Sequence, residues 1–120
     1  MEPSALEVLQ RKRVLDLTTV GRNSGQPRTI EIWFVVYQGR FYIFAERGHR
    51  AHWVQNVQAN PAVSIRLQER RFRGRARILN PDQDRVEWQA VADLSRQKYG
   101  WGEGLPVAIE VVAEETAEEG

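Results

Sequence analysis

With 120 residues, a formal net charge of +1 and 42% hydrophobic against 28% charged side chains, the chain has the size and composition of one compact domain, and disorder is excluded as its main state. It contains no cysteine, which removes disulfides, thiolate nucleophiles, iron–sulfur clusters and cysteine-ligated zinc together. No stretch is apolar for long enough to cross a bilayer, and MEPSALEVLQRKR lacks the apolar centre of a signal peptide, so a soluble, cytoplasmic protein is expected.

In chain order, Ser4 and Glu7 form a capping box that predicts a short helix over 4–13. A strand is predicted over 14–20, a loop with two glycines and a proline over 21–27, and one long β-rich run over 28–38. Gly39 and Arg40 sit where a tight hairpin would turn into a strand over 41–45. Helical spacing of Ala51, Val54 and Val57 predicts a helix over 50–59, stopped by Asn60 and Pro61. Two further strands, 62–68 and 71–79, read as a hairpin turning at Glu69 and Arg70. Asn80, Pro81 and Asp82 open a helix reaching about Lys98, with Val86, Ala90 and Leu94 four apart. A flexible GWGEG loop (100–104) and a last strand over 107–112 complete the pattern. The expected fold is mainly β with helices, an α+β barrel of about six antiparallel strands closed by helices, in a single domain over 1–113. Residues 114–120, with four glutamates and nothing to bury, form an acidic tail expected to be disordered.

The near-neutral total conceals a division: residues 1–81 hold 14 basic and 6 acidic side chains, residues 82–120 hold 3 and 10. Fifteen of the 17 basic residues are arginine, whose planar fork suits phosphate and carboxylate. Anion binding and a merely solvated arginine surface both fit this composition. The most informative segment is LTTVGRNSGQPR, residues 17–28. Between two strands it supplies two glycines that let backbone N–H groups face a ligand, the Ser24 hydroxyl, and Arg22 and Arg28 as fork donors. It is neither a P-loop, since no GK[ST] follows, nor a dinucleotide fingerprint, since a strand comes next. A phosphate cradle and an ordinary glycine-containing connection remain open on these residues alone.

TTVGRNSGQPR, a following strand, AERG (45–48) and HWVQNVQANPAVSI (52–65) together resemble the deazaflavin-dependent nitroreductase family, within the flavin and deazaflavin oxidoreductase superfamily related to pyridoxamine phosphate oxidase. The similarity spans roughly residues 15–112. It implies a split β-barrel, usually dimeric, binding deazaflavin coenzyme F420 in the first place or FMN in the second. It also implies that Arg22, Ser24, Gly25 and Arg28 hold the cofactor phosphate, with Asn23, Ala45, Arg47, Gly48, Trp53 and Asn56 as further cofactor-binding positions. Asn23, Ile30 with Glu31, and Glu46 depart from the family pattern.

The implied function is an F420-dependent oxidoreductase that reduces small conjugated acceptors, such as quinones or nitro compounds, by hydride transfer. The alternatives are an FMN flavoprotein of the same fold and a non-catalytic module binding flavin or tetrapyrrole. A cofactor that carries the hydride explains why no catalytic triad is needed. Trp33, Phe34, Trp53, Tyr99 and Trp101 are candidates for an aromatic wall, and Tyr99, in KYGWG, is the candidate catalytic proton donor. His49 and His52 have an HxxH spacing, but with only Glu46 close by no metal site is expected. Arg71, Arg73, Arg75 and Arg77 alternate onto one strand face without interleaved aromatics, so nucleic acid is not expected as a partner. A homodimer and a small-molecule acceptor are.

Overall fold

Apolar and polar residues alternate along most of the strands, and the computed structural model, which describes residues 8–115, buries the apolar set. In β1 (Val14–Val20) Leu15, Leu17 and Thr19 point inward, and in β5 (Ala62–Leu67) and β6 (Arg70–Ile78) Val63, Ile65, Leu67, Phe72 and Ala76 do the same. β4 (Arg40–Ala45) is buried on both faces, because Phe41 and Ile43 look into the barrel while Tyr42 and Phe44 look toward a helix. With β2 (Pro27–Trp33), β3 (Val35–Tyr37) and β7 (Leu105–Glu115) these strands make one antiparallel sheet in the order β2-β1-β5-β6-β7-β4-β3. The two helices are α1 (His52–Ala59) and α2 (Arg85–Tyr99).

β2 and β3 lie at opposite edges of the sheet yet are joined by a single residue, Phe34. The sheet must therefore curl until its edges meet, which produces a split β-barrel. The run over 28–38 is thus two strands, and the count among the described residues is seven against the expected about six. The break is held from outside: the Phe34 N–H donates to the Tyr99 hydroxyl oxygen (3.1 Å), and the Phe34 carbonyl accepts from Lys98 Nζ (3.0 Å).

The other boundaries shift for local reasons. Of the helix read over 4–13, the part within the described residues is a single 3-10 turn, Val8–Arg11. Gln38 and Gly39, both at positive φ (50° and 76°), make the two-residue turn between β3 and β4, so Arg40 already belongs to a strand. Gln68 at φ 55° opens the corresponding turn before Arg70. Ala51 is extended and separates a single turn, Gly48–Arg50, from α1. The Asn80 side chain accepts the Asp82 and Gln83 N–H groups (2.8 and 2.9 Å), so 80–84 closes as a turn and α2 starts at Arg85. β7 extends to Glu115, and the tail boundary read at 113/114 falls inside it. Glu114 is held by Arg70 (2.8 Å) and Glu115 by Arg73 (3.1 Å). Residues 116–120 lie outside the described residues. A bulge between Arg73 and Gly74 pairs them with Ala113 and Val111, leaving Val112 unmatched and 69% exposed.

Candidate cofactor site

The loop between β1 and β2 is shaped by its own backbone. Gly21 N–H donates to the Gln26 carbonyl and Gly25 N–H to the Gly21 carbonyl, both at 2.8 Å, with Gly25 at φ +72°, where a side chain would be strained. A Cβ on Gly21 would stand 2.7 Å from Ser24 Oγ, so this position needs glycine for space. The resulting hollow, about 510 Å³, is lined by Arg22, Asn23, Ser24 and Arg28 together with Thr19, Trp53 and Asn56. Ser24 Oγ accepts from the Gln26 N–H (3.1 Å) and from Arg28 Nη2 (3.2 Å), which leaves its own proton to donate to a bound anion. Arg22 donates to Asn56 Oδ1 from its backbone N–H (3.1 Å) and from Nη1 (2.9 Å), and to His52 Nδ1 from Nη2 (3.2 Å). A guanidinium can only donate, so Nδ1 of His52 is the acceptor there.

Beside this cradle lies a larger cleft of about 720 Å³. All five aromatics picked from the sequence line it: Trp33 and Phe34 from the β2 end, Trp53 from α1, and Tyr99 and Trp101 from the far end of α2 and its loop. Phe44, Ile30 and Ile32 complete the apolar part, and Glu31, Glu46, Arg47, Arg50 and His52 the charged and polar part. Trp33 and Tyr99 stack with centroids 4.3 Å apart and planes within 5°. Ile30, His52 and Trp53 line both spaces, so cradle and cleft share a wall.

The ring of Tyr99 faces the cleft, but its hydroxyl does not turn to a ligand. It lies 2.6 Å from the Arg13 carbonyl and 2.8 Å from that of Phe34, either of which takes its proton. Burial raises the Tyr99 pKa, against smaller opposing effects from the Phe34 backbone and Arg13. The neighbouring Lys98 ammonium is pulled down to about 8, chiefly by burial and secondarily by Arg13. The GWGEG loop is fastened as well: Ser95 Oγ donates to the Trp101 carbonyl (2.5 Å), and a Cβ on Gly102 would lie 2.3 Å from the Ala92 carbonyl.

Three of the cofactor-binding positions serve the site differently from the sequence reading. Ala45 is 1% exposed and packs with Val54 and Leu105, so it contributes to the core and sends Glu46 and Arg47 outward. Gly25 and Gly48 (φ +62°) bend the chain and line neither space. Arg47, Trp53 and Asn56 do line it, the last from behind Arg22. Sequence reasoning missed Thr19, Arg50 and the shared wall of Ile30 and His52. His52 opens the HWVQN stretch and closes the HxxH spacing, but the two imidazoles engage different partners, Gln58 for His49 and Arg22 for His52. Among the described residues no three potential metal ligands converge.

Residues 4–114 match the family model described as F420H(2)-dependent quinone reductase. The chain belongs to this family. An F420H(2)-dependent quinone reductase of Mycobacterium tuberculosis is 31% identical over 88 residues, 69% of this chain and 59% of that protein. The chain thus spans less than two thirds of the length of the curated relatives it matches. Among solved structures, an F420-H2 dependent reductase superposes with a TM-score of 0.62 at 28% identity, over 83% of this chain and 94% of that one. A Listeria innocua protein classed with the pyridoxamine 5'-phosphate oxidases shares the fold, with a TM-score of 0.70 at 16% identity and 97% coverage of both chains. The split-barrel fold is therefore shared with this distant structure as well.

Proposed function

We propose that the chain binds F420 across the cradle and the cleft and catalyses reduction of small conjugated acceptors, quinones first and nitro compounds as a further class. The carrying observation is the shared wall of Ile30, His52 and Trp53. It joins a cradle of phosphate donors to an aromatic cleft, the arrangement demanded by a planar ring with a phosphate-bearing tail. When bound and reduced, F420 supplies the hydride. The residues supply the rest. Arg22, Arg28 and Ser24 hold the phosphate through charge-assisted bonds, while Asn23 lines the same hollow. Trp33, Trp53 and Trp101 keep the cleft apolar, so donors inside it act at low dielectric. Hydride arrival leaves negative charge on the acceptor oxygen, and Arg47 and Arg50 are the cations lining the cleft that stabilise it. With its hydroxyl engaged by backbone, Tyr99 serves as wall and fastening, and we assign the proton to solvent at the cleft mouth.

A homodimer is part of this reading. β2 is an edge strand exposed along nearly its whole length, and Ile30 and Trp33, both lining the cleft, are 36% and 43% exposed. A second subunit over β2 would cover them and close that side of the cleft.

The test is an absorbance titration of the purified protein with F420 and, separately, FMN, followed by anaerobic mixing of the reduced F420 complex with a quinone. Saturable F420 binding with quinone-dependent reoxidation is expected. Binding of FMN but not F420, or bound F420 that no quinone reoxidises, would overturn the proposal.

A further inference from the structure

Among the described residues only Thr19, Asn56 and Ser95 are polar side chains buried at this depth. Ser95 holds the Trp101 carbonyl, whereas the other two form a chain leading to the cradle. Asn56, 4% exposed, meets Arg22 through one amide atom and Thr19 Oγ1 through the other. Arg22 can only donate, from backbone N–H and from Nη1, so the atom facing it is the amide oxygen, and Nδ2 then donates to Thr19 Oγ1 (3.1 Å). A buried amide destabilises a fold unless it is paired, and among the described residues every bond of the Asn56 side-chain amide ends on Arg22 or on Thr19 of the strand that leads to it. His52 holds the other flank, its carbonyl accepting from Nη1 (3.4 Å) and its Nδ1 from Nη2 (3.2 Å). Of five guanidinium N–H groups this leaves Nε–H and one on Nη2 for an incoming anion, a two-point grip in a plane already fixed. The Arg28 side chain, by contrast, makes its one hydrogen bond among the described residues to Ser24 Oγ.

We propose that Asn56 is the positioning residue of the cradle, holding the backbone and guanidinium of Arg22 in the anion-binding geometry before any ligand arrives. It acts through Arg22 and does not itself meet the ligand. That the anion is the F420 phosphate rests on the function proposed above, and the test separates the two claims. In ligand-free protein, hydrogen exchange of the Arg22 amide is compared between parent and Asn56→Ala. It should quicken at least tenfold in the variant, with amides of β6 unchanged. F420 affinity is then measured for Asn56→Ala, Arg22→Ala, Arg28→Ala and the two doubles containing Asn56→Ala. The single Asn56 variant should lose about tenfold in affinity, the order expected when a charge-assisted donor loses its preorganisation. The loss should shrink to less than twofold in the Arg22→Ala background and persist in full with Arg28→Ala. Thr19→Val, which removes the Nδ2 acceptor and leaves both Arg22 contacts, should give a smaller loss of the same kind and serves if Asn56→Ala does not fold. Equal losses in both arginine backgrounds, or unchanged Arg22 exchange, would overturn the positioning role. A parent that does not bind F420 would overturn the proposed function, and the exchange measurement would still decide the role of Asn56.

Discussion

The phenol of Tyr99 lies within bonding distance of two carbonyls and one amide, so replacing it by phenylalanine removes a fastening at the point where β2 gives way to β3. We expect Tyr99→Phe to lower stability by about 1–2 kcal/mol, the cost of leaving backbone groups unpaired, with turnover within twofold of the parent. A tenfold or larger fall in turnover at unchanged stability, read from steady-state kinetics beside a denaturant titration, would instead restore the proton-donor role. Arg22→Ala and Arg28→Ala should each weaken F420 binding by about 1.5–3 kcal/mol, the range for bonds to a charged group. Added salt should weaken parent binding more than it weakens either variant. The candidate cradle was visible in the sequence because Arg22, Ser24 and Arg28 lie close together around two glycines, although an ordinary connection fitted the same residues. The roles of Ala45 and Asn56 were not. Whether a side chain meets a ligand or stands behind the one that does is a matter of burial, and Ala45 and Asn56, 1% and 4% exposed, sit in the same motifs as the more exposed Arg47 and Trp53.

At the scale of elements, most strands and both helices were legible from period-2 and period-3.6 patterns, and their ends were not, because those ends are set by single polar contacts. Asn80 closing its own turn delays α2, and Phe34, bonded to Lys98 and Tyr99 from 64 and 65 residues away, divides one apparent strand into two. Three glycines over 100–104 suggested a flexible loop, and two of them, Gly100 at φ +77° after the end of α2 and Gly104 at φ +128°, do take backbone conformations that favour glycine. Gly102 is there for close approach. Gly102→Ala would press a methyl against the Ala92 carbonyl and should cost about 1–3 kcal/mol, as overpacking does, measured by thermal or urea unfolding. The same end of α2 makes stability depend on pH. Lys98 titrates near 8 in the fold against 10.5 for a free lysine, so between these values the unfolded chain binds more protons and stability rises with pH. The charged amine is therefore a burden below pH 8 that is relieved on the way to 10.5. The stability advantage of Lys98→Met over the parent should be largest at pH 7 and shrink by pH 9.5. Calorimetry showing a constant difference between the two proteins would place Lys98 outside this linkage.

For the molecule as a whole, the basic first two thirds and the acidic remainder are brought together by the sheet order, which sets β6 beside β7 and α2 over the β6 end. Arg70 meets Glu114, Arg73 meets Glu115, and Arg77 is held by Asp84 (3.2 Å) and Glu87 (2.8 Å). Arg75 stands in register with Glu110. The alternating arginine face is thus largely matched within the chain, whereas Arg22, Arg28, Arg47 and Arg50, around the proposed cofactor site, have no carboxylate partner among the described residues. The proposed cofactor site is thus lined by four arginines against Glu31 and Glu46. Two of the exposed large apolar residues, Ile30 and Trp33, lie on β2. An edge strand presents a row of unpaired backbone groups, and one that also exposes Ile30 and Trp33 beside a cleft has a surface better covered than solvated. If a second copy covers it, sedimentation should show a dimer that dissociates on dilution. Ile30→Lys should then shift the equilibrium to monomer by about 1–3 kcal/mol, the cost of placing an unpaired charge in a desolvated patch. F420 affinity should fall with it, because one side of the cleft would lose its cover. A parent sedimenting as a monomer of 13.9 kDa with F420 bound would remove the second subunit from the site. The cleft would then be complete in one chain, and Trp33 would be left as its solvent-facing rim.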